Sequence, residues 1–510
     1  KADGKQIVVL KSESGIYACN NRCPHEGYPL KEGTVTQGCI LTCNWHNWKF
    51  DLESGETLVG SDQLRRYPVA LRDGAVWLDI SDPPRETQIA AALSALSDSF
   101  RHIDRRMEYD RVAREIARLQ KAGGDPLDAL RKAIDVTYRH FEFGTTHALA
   151  ATPDWLALGT DMARDSAEHL VPVLESISHL AWDSMREPAY PYNETAKDFR
   201  PDAFLAAIEE ENEVEAVALL RGALASGLSY ADLEPYLAEA AFAHYADFGH
   251  SAIYVYKTGQ LSEHLGARSE EALLLTLVRS LIFATREELL PEFRGYDRHL
   301  AAWPDDGVAA AEAPTAADFL GLSAKKAMAR CLDFPGDPEL LFTALYAAAA
   351  WSQLHFEIDW EQRYDSNVSD NVGWLDFTHA LTFGNAAHQL CRRYPHLWPQ
   401  ALLQLACFVG RNQPYVNRDQ DVAAWRVPDS DTFFASQGPA LFDHGQPEYI
   451  VSAHLVKVFM AAREEYLAAP DAPWAVDLLA AVNRFMSSPL KRKHAMRAAR
   501  QSLAFVDLEG

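Results

Sequence analysis

Residues 23–25 read Cys-Pro-His and residues 43–46 read Cys-Asn-Trp-His, and this pair of short loops decides how the first part of the chain folds. Each loop supplies one thiolate and one imidazole, so Cys23, His25, Cys43 and His46 form a set of two sulfur and two nitrogen donors. A [2Fe–2S] cluster with two cysteine and two histidine ligands needs this set, and a structural zinc ion also accepts it.

The order of the ligands favours the iron–sulfur cluster over zinc. In zinc fingers the cysteines usually lie together and the histidines lie together, whereas here each loop carries one of each. The second loop continues as Trp48-Lys49-Phe50-Asp51, an apolar/polar alternation that leads into a turn at Gly55. These features closely resemble the Rieske ferredoxin family. The resemblance implies that the two cysteines bind one iron and the two histidines bind the other.

A cluster of this kind carries single electrons. Because imidazole is neutral where thiolate is charged, its potential lies at roughly −150 to +300 mV, above that of an all-cysteine plant-type cluster. Tyr28 and Trp45 occupy the positions at which respiratory Rieske proteins place two disulfide-bonded cysteines, so we expect no such bridge here. The loops resemble those of soluble ferredoxins and oxygenases. The few other cysteines show no paired spacing, which suits a reducing cytoplasm.

Composition excludes several classes of protein. The chain has 510 residues, 48% of them hydrophobic, which is enough for more than one domain. Its net charge of −24 argues against nucleic-acid binding, and no apolar run of about eighteen residues predicts a membrane span. The sequence begins at Lys1 inside strand-like sequence, so we expect a first strand to be missing.

The character of the sequence changes near residue 82. Predicted strands cover 6–10, 16–19, 49–51, 67–71 and 76–80. After the linker Ser81-Asp82-Pro83-Pro84, predicted helices include 109–121, 202–220, 236–256, 270–289, 339–360, 374–393 and 449–467. We further predict a surface loop in the alanine-rich tract 301–317 and a solvated basic run at 491–493. The predicted fold is a small all-β Rieske domain over 1–82, followed by a large all-α domain over 83–510.

The helical region does not fit the ring-hydroxylating oxygenases, which resemble an α+β fold with iron held by a D-x-x-H-x₄₋₅-H run. Asp376-Phe377-Thr378-His379 matches the first half of that pattern. The next histidine, His388, lies nine residues after His379, which on one helix places it on the opposite face. We therefore reject this family for the helical region.

Four segments of the helical region resemble the questin oxidase-like family, helical proteins that include enzymes oxidising anthraquinones. They are Arg139-His140-Phe141-Glu142-Phe143 with Thr146-His147-Ala148-Leu149, Phe248-Gly249-His250-Ser251-Ala252-Ile253-Tyr254, Trp374-Leu375-Asp376-Phe377-Thr378-His379-Ala380-Leu381-Thr382, and Ser452-Ala453-His454-Leu455-Val456-Lys457. The resemblance implies a mononuclear non-haem iron held by four histidines and a lysine carboxylated on its ε-nitrogen. Carried over by position, these ligands are His147, His250, His379, His454 and Lys457.

The chemistry of these residues agrees with that implication. Histidines on four separate helices can converge inside a bundle, and imidazole suits iron, copper or zinc. His454 and Lys457 are three residues apart and share one helix face. A lysine buried among apolar neighbours loses its proton more easily, and the free amine can add CO₂.

Other interpretations of these residues stay open at this point. Each histidine can instead be a hydrogen-bonded core residue, His140 competes with His147, and Lys457 can be a surface lysine. The carboxylates and histidine of Glu175, His179 and Asp183 suggest a salt-bridge ladder, a metal site or a proton relay. A set of aromatic residues can line a substrate pocket or simply pack in the core: Tyr254, Tyr256, Trp351, Trp360 and Trp374.

Together these patterns predict a two-part oxygenase. An external ferredoxin or NAD(P)H-dependent reductase reduces the Rieske cluster, since the chain has no G-x-G-x-x-G nucleotide fingerprint. Iron in the helical domain then uses O₂ to hydroxylate or cleave a small apolar substrate, such as a polycyclic aromatic compound. If electron transfer runs between subunits, the enzyme is a homo-oligomer. The rival is a Rieske electron-transfer protein whose helical domain is a metal-free docking or regulatory scaffold.

Overall fold

The structure is a computed structural model that describes residues 1–509 except 37, 61, 107–108, 305–311, 364–371 and 491–494, with side chains left out for 101–106. Of the predicted alanine-rich loop 301–317, residues 305–311 lie outside the described residues, while residue 301 ends a helix and residues 316–318 form a 3-10 turn. The predicted basic run 491–493 lies outside the described residues. No helix among the described residues is long and apolar enough to cross a bilayer.

Short antiparallel strands make up the first part of the chain. They are β1 (Ile7–Lys11), β2 (Ile16–Asn20), β3 (Thr34–Val35), β4 (Ile40–Thr42), β5 (Lys49–Asp51), β6 (Thr57–Val59), β7 (Arg66–Tyr67), β8 (Val69–Arg72) and β9 (Ala75–Leu78). They form sheets in the orders β1-β2-β7, β3-β4-β5-β6 and β8-β9. Side chains from the first two sheets, including Cys19, Leu41 and Phe50, share one buried core with Leu30 of the turn between β2 and β3.

The predicted strands are confirmed in place, but the prediction missed β3, β4 and β6 and joined β7 to β8. The three missed strands have only two or three residues each. β5 is as short, but it was predicted because it continues the alternation of Trp48-Lys49-Phe50-Asp51 after the second ligand loop. The pairing of the missed strands depends on neighbours instead: Leu41 of β4 lies opposite Val35 on one side and Phe50 on the other.

Helices follow from residue 85. In the described residues they are α1 (Arg85–Arg106), α2 (Tyr109–Lys121), α3 (Pro126–Thr137), α4 (His147–Met162), α5 (Ser166–Ser184), α6 (Pro201–Glu209), α7 (Glu213–Ala225), α8 (Tyr230–Phe242), α9 (His250–Leu265), α10 (Ala267–Ile282), α11 (Tyr296–Ala301), α12 (Ala324–Cys331), α13 (Pro338–Leu354), α14 (Asp359–Gln362), α15 (Trp374–Arg393), α16 (Trp398–Asn412), α17 (Ser430–Ala440), α18 (Tyr449–Ala468), α19 (Ala475–Ser487) and α20 (Ala495–Val506). The predicted fold class, a small β region followed by a large helical one, is confirmed.

The predicted helix 202–220 is wrong in being continuous, because the chain leaves the helical conformation between α6 and α7. Glu211 adopts a left-handed conformation with φ of 56°, and Asn212 then caps α7 by accepting the Glu215 N–H. The predicted helix 236–256 is likewise two helices, since α8 ends at Phe242 and α9 begins at His250. Helices predicted to 289 and 360 end earlier, at Ile282 and Leu354. In none of these did proline mark the end.

The chain forms two compact units. The first contains residues 1–102 and 110–128, so α2 belongs with the strands, and the second contains 103–109 and 129–510. The change from strand to helix at residue 85 and the limit of the first unit therefore fall at different places. The domain boundary at residue 82 stays a prediction.

Candidate metal centres

The two cysteine–histidine loops of the first unit share one backbone conformation. Cys23 and Cys43 each donate their N–H to the carbonyl five residues further on, at 2.8 Å in both loops. Each also accepts the N–H of the residue four positions on, Gly27 at 2.8 Å and Asn47 at 2.9 Å. Gly27 and Asn47 both adopt positive φ, 78° and 61°. The loops are thus two copies of the same turn, which glycine and asparagine tolerate best.

Within this frame the sulfur ligands are buried and the nitrogen ligands lie at the edge. Cys23 and Cys43 are 3% and 2% exposed, whereas the side chains of His25 and His46 are 28% and 39% exposed. The two imidazole rings are 4.8 Å apart. Burial, together with the neighbouring Cys43, raises the pKa of Cys23 to about 12. Two buried thiols side by side become thiolates when a cation binds them, so the set fits a metal cluster.

Aromatic rings frame the two histidines. Trp48 stacks on His25 at 4.5 Å between ring centroids, and Trp45 stacks on His46 at 4.6 Å. Trp45 also contacts Tyr28. Tyr28 and Trp45 occupy the positions at which respiratory Rieske proteins have bridging cysteines, and none of the seven cysteines of the chain forms a disulfide. Trp45 is 53% exposed, so the histidine edge carries a surface aromatic ring.

Helix α2 supplies two arginines to this unit that sequence analysis missed. Arg114 donates from Nη1 to the backbone carbonyls of Pro24 and His25, inside the first ligand loop. Arg111 forms a buried ion pair with Asp62, and Asp62 also lies 3.7 Å from Arg114. Arg114 lies ninety residues after Pro24 of the loop it contacts, and Arg111 lies 49 residues after Asp62, so no local pattern links either arginine to its partner.

The second candidate centre lies among four helices of the second unit. α4, α9, α15 and α18 pack each against the next and close a ring. Each contributes one histidine near its N-terminal end: His147 and His250 are the first residues of α4 and α9, and His379 and His454 lie in the second turns of α15 and α18. Buried residues cover nearly every face of α4 and α9, which is typical of helices at the centre of a bundle.

The four imidazoles converge through their Nε2 atoms. His250 Nε2 lies 3.1 Å from His147 Nε2 and 2.8 Å from His379 Nε2, and His454 Nε2 lies 3.4 Å from His379 Nε2. The rings of His147 and His454 have centroids 4.8 Å apart. Ligand atoms of His147, His379 and His454 lie within 4.8 Å of one another. The structure thus brings together all four histidines that the sequence singled out.

Backbone and carboxylate groups orient these rings from outside. Nδ1 of His379 donates to the Leu375 carbonyl at 2.5 Å, and Nδ1 of His454 donates to the Ile450 carbonyl at 2.6 Å. With Nδ1 protonated, Nε2 of each ring presents its lone pair to the centre, which is the arrangement found around bound metals. Nδ1 of His250 faces an Asp247 oxygen at 3.2 Å.

Electrostatics keeps these imidazoles neutral. Burial is the first cause that lowers the pKa of all four, and the neighbouring histidines and Lys457 lower it further at His147, His379 and His454. A neutral imidazole is the form that binds metal. Lone pairs on converging nitrogens repel one another unless a cation lies between them, so this donor set fits a metal ion.

Lys457 lies one helical turn from His454 and is 1% exposed. Its Nζ has no hydrogen-bond partner among the described residues. Burial lowers the pKa of Lys457 to about 7, with Lys257 also lowering it and Asp154 opposing. A buried, unpartnered amine that loses its proton near neutral pH is unusual for lysine, and the snorkelling surface position is excluded.

Comparisons with known proteins bear on the first centre. The model of the Rieske [2Fe-2S] domain matches residues 1–68. The ferredoxin subunit of methanesulfonate monooxygenase from Methylosulfonomonas methylovora is 34% identical over 82 residues, which cover 16% of this chain and 67% of that subunit. The chain belongs to the Rieske [2Fe–2S] family. A [2Fe–2S] cluster is therefore its cofactor, with electron transfer as the function at this level.

Two further relatives are oxygenases. The Rieske region is 35% identical over 92 residues to 4beta-methylsterol monooxygenase of Methylococcus capsulatus, and 33% identical over 86 residues to the oxygenase subunit of 3-chlorobenzoate-3,4-dioxygenase of Comamonas testosteroni. These alignments cover 16% and 15% of this chain, and only 25% and 20% of the relatives. No solved structure matches the chain.

Outside the Rieske domain, a strained segment precedes His250. Asp247, Phe248 and Gly249 have φ values of 49°, 53° and 74° in succession. A Cβ at Gly249 would lie 2.5 Å from Phe383. Consecutive left-handed residues cost free energy and persist where the surrounding structure requires them. Here they set the direction in which α9 starts, and so the position of His250.

The remaining candidates take other roles. His140 bonds to the Glu187 carbonyl at 2.8 Å. His388 lies between Glu465 and Glu339, at 2.7 and 3.0 Å. Of the five aromatic residues that the sequence suggested as a pocket, Tyr254 contacts the cluster, since its ring stacks on His250 with centroids 5.2 Å apart.

The predicted ladder of Glu175, His179 and Asp183 forms only in part. His179 Nε2 lies 3.4 Å from Asp183, one turn away on the same helix. Glu175 instead pairs across helices, with His444 at 3.2 Å and with the Ser452 hydroxyl at 3.0 Å.

Proposed function

We propose that this protein is a Rieske-coupled non-haem iron oxygenase. The single observation that carries the proposal is the convergence of four neutral histidine Nε2 atoms beside a buried, unpartnered lysine. In a chain that also has a Rieske domain, a second redox-active metal would accept the electrons that the Rieske cluster donates. The resemblance of the same four segments to the questin oxidase-like family supports iron as that metal.

In this proposal the Rieske loops receive electrons one at a time. Cys23 and Cys43 hold one iron of the cluster, and His25 and His46 hold the other. The exposed edge formed by the two histidines and Trp45 suits docking of an external ferredoxin or NAD(P)H-dependent reductase. A relative of the domain is named as the ferredoxin subunit of methanesulfonate monooxygenase, which supports such a partner. We further propose that electrons pass to the helical region within one chain or between subunits of a homo-oligomer.

The residues of the helical region would hold a mononuclear iron. Bound there, iron would supply the activation of O₂. His147, His250, His379 and His454 would bind it through Nε2, and their Nδ1 partners would keep the rings in place. The neutral amine of Lys457 would attack CO₂, forming a nitrogen–carbon bond and releasing one proton to give an anionic carbamate. That carbamate would add an oxygen ligand that a bare lysine cannot supply.

The substrate would be small and apolar, and a polycyclic aromatic compound fits best. The family resemblance points to such a compound, and Tyr254 adds an aromatic ring that stacks directly on His250. The reaction would be a hydroxylation or a ring cleavage, with the oxygen atoms coming from O₂ and the electrons from the Rieske cluster.

A second candidate has one observation in its favour. One relative of which the chain covers about two thirds is named as a ferredoxin subunit and not as an oxygenase. On this alternative the chain is an electron carrier, and the helical region is a metal-free docking or regulatory scaffold.

Iron content separates the two candidates. The oxygenase holds about three irons per chain and the electron carrier about two. We expect the double variant His379→Ala, His454→Ala to lose the third iron while the visible spectrum of the Rieske cluster stays unchanged. His388→Gln is the matched control, because it changes a buried histidine of α15 that lies outside the cluster. Three irons in the double variant would contradict the ligand assignment.

A further inference from the structure

A polar cleft of about 590 Å³ lies in the second unit, along α8, α9 and the end of α15. Its lining includes Glu234, Tyr256, Gln260, Glu263 and Arg392. Glu263 and Arg392 are exposed, so the cleft meets solvent at that side. Tyr256 is buried and Gln260 is partly exposed, and both lie on α9 at the inner side of the cleft.

From this inner side a short series of hydrogen bonds leads into the helix ring. Gln260 donates from Nε2 to the Tyr256 hydroxyl at 3.0 Å, and its Oε1 accepts from Lys257 Nζ at 2.9 Å. Lys257 Nζ also donates to Asp154 Oδ1 at 2.8 Å. The side chains of Lys257 and Asp154 are both 4% exposed. The cleft therefore connects, through one glutamine side chain, to a fully buried ion pair.

The ion pair lies directly beneath the histidine cluster. Asp154 is seven residues after His147 on α4, and Lys257 is seven residues after His250 on α9. Seven residues are about two helical turns, so each partner shares a face with its histidine and lies roughly 10 Å further along. His147 contacts His250 and Asp154 contacts Lys257, so α4 and α9 run parallel and in register.

Asp154 also acts on Lys457, whose amine lies one turn from His454. Each lowers the cost of charging the other: Asp154 raises the pKa of Lys457, and Lys457 lowers that of Asp154. Among the described residues, Asp154 Oδ2 and Lys457 Nζ are both buried without a hydrogen-bond partner. Buried polar atoms without a partner are rare in folded proteins, so both atoms are available for proton exchange.

A purely structural role explains this pair poorly. Burying two charges costs more than their attraction returns unless every polar atom is satisfied, and here one carboxylate oxygen is not. Burial raises the pKa of Asp154 to about 6, against the opposing effect of Lys257. A carboxyl group that gains and loses its proton near neutral pH suits proton transfer.

We propose that Lys257 and Asp154 carry protons from the cleft to the Lys457 side of the histidine cluster, with Gln260 as the gate. This rests on the proposed function. Lys257 passes a proton to Asp154 and regains one from cleft water when the Gln260 amide moves aside. Without organic substrate, the balance is O₂ plus two electrons plus two protons giving H₂O₂. The electrons come from two reduced Rieske clusters, which the external donor has reduced, and the protons come from solvent along this path.

The test uses the full chain with its Rieske cluster and reads the proton directly. At about pH 5 the protonated Asp154 carboxyl has an infrared C=O band, assigned by its loss in Asp154→Asn. On rapid mixing with D₂O this band shifts as the proton exchanges. We expect Lys257→Met to slow the exchange by about tenfold or more. Ser262→Ala, on the same helix and the same cleft but off the path, should exchange as the unchanged protein does.

A second variant keeps the test valid if Lys257→Met fails to fold. Gln260→Leu, at a partly exposed position, should slow the exchange in the same way by closing the inner side of the cleft with an apolar group. Exchange as fast in the folded variants as in the unchanged protein would overturn the path, and so would the absence of any Asp154 band. Neither result depends on iron in the helical region. Failure of the path is therefore distinct from failure of the oxygenase, which the iron content reports.

Discussion

His388 offers the sharpest test of how charge is arranged around the histidine cluster. It is the residue that a ring-hydroxylating pattern would have used as an iron ligand, yet it lies between two glutamates. Burial opposes a charge on its ring, but the hydrogen bonds to Glu339 and Glu465 outweigh burial and raise the pKa of His388 from 6.5 to about 9. The side chain is 12% exposed, so solvent screens these bonds little.

The raised pKa of His388 determines how much this residue contributes to the free energy of unfolding and over which pH range it does so. A change from 6.5 to about 9, at 1.36 kcal/mol per unit, corresponds to as much as about 3 kcal/mol of stability. Since the pKa is higher in the folded state, this stability is fully present below pH 6.5 and is lost as the pH rises through about 9.

We therefore expect His388→Gln to lower the free energy of unfolding by about 3 kcal/mol at pH 6, and by much less at pH 10. Urea unfolding followed by far-ultraviolet circular dichroism measures the difference at each pH, and other titrating groups cancel between the two proteins. The control is His396→Gln, which changes a histidine just beyond α15 that forms no ion pair with a carboxylate in the part of the chain that the structure describes. An equal difference at pH 6 and pH 10 would refute the assigned charge, and loss of iron would refute the assigned role.

Three further changes probe the two centres. Arg114→Gln removes a positive charge and two hydrogen bonds from the first ligand loop, so the reduction potential of the cluster should fall by roughly tens of millivolts in a redox titration. The control Arg118→Gln changes an arginine one turn further along α2 and should leave the potential unchanged. Gly249→Ala should lower the free energy of unfolding by roughly 1–3 kcal/mol and reduce the iron content, because the added Cβ meets Phe383 and the residue has a φ of 74°. A normal iron content would contradict the role given to the turn before His250. Trp45→Ala should slow reduction by an external donor in stopped-flow mixing without moving the potential, and an unchanged rate would show that the donor docks elsewhere.

Local spacing was sufficient wherever the chemistry depends on neighbours in the chain. Cys23, His25, Cys43 and His46 were identified from two short loops, because a turn of five residues determines where its own ligands point. Helix boundaries were predicted well where a strong cap or a clear pattern lies in the sequence, as at residues 374 and 393. They failed at Glu211, where a left-handed residue without glycine or proline ends the helix.

The histidine cluster depended on a different kind of information. Periodicity suggested helices and a family resemblance suggested His147, His250, His379 and His454, but nothing local distinguished these from histidines packed in a core. Only the closure of α4, α9, α15 and α18 into a ring brings each of these nitrogens within 3.4 Å of at least one other. A contact between residues more than seventy positions apart comes from packing, which no short window of sequence contains.

The same limit explains what sequence analysis missed altogether. Arg114 reaches the first cluster loop, and Lys257 meets Asp154, across ninety residues or more. The residue types that bind the cluster and the change from strands to helices follow from the order of amino acids, because they rest on short-range geometry and periodicity. The buried lysines, the carboxyl group between them and the arginines behind the cluster acquire their properties from burial and from distant charges, which exist only once the chain has packed.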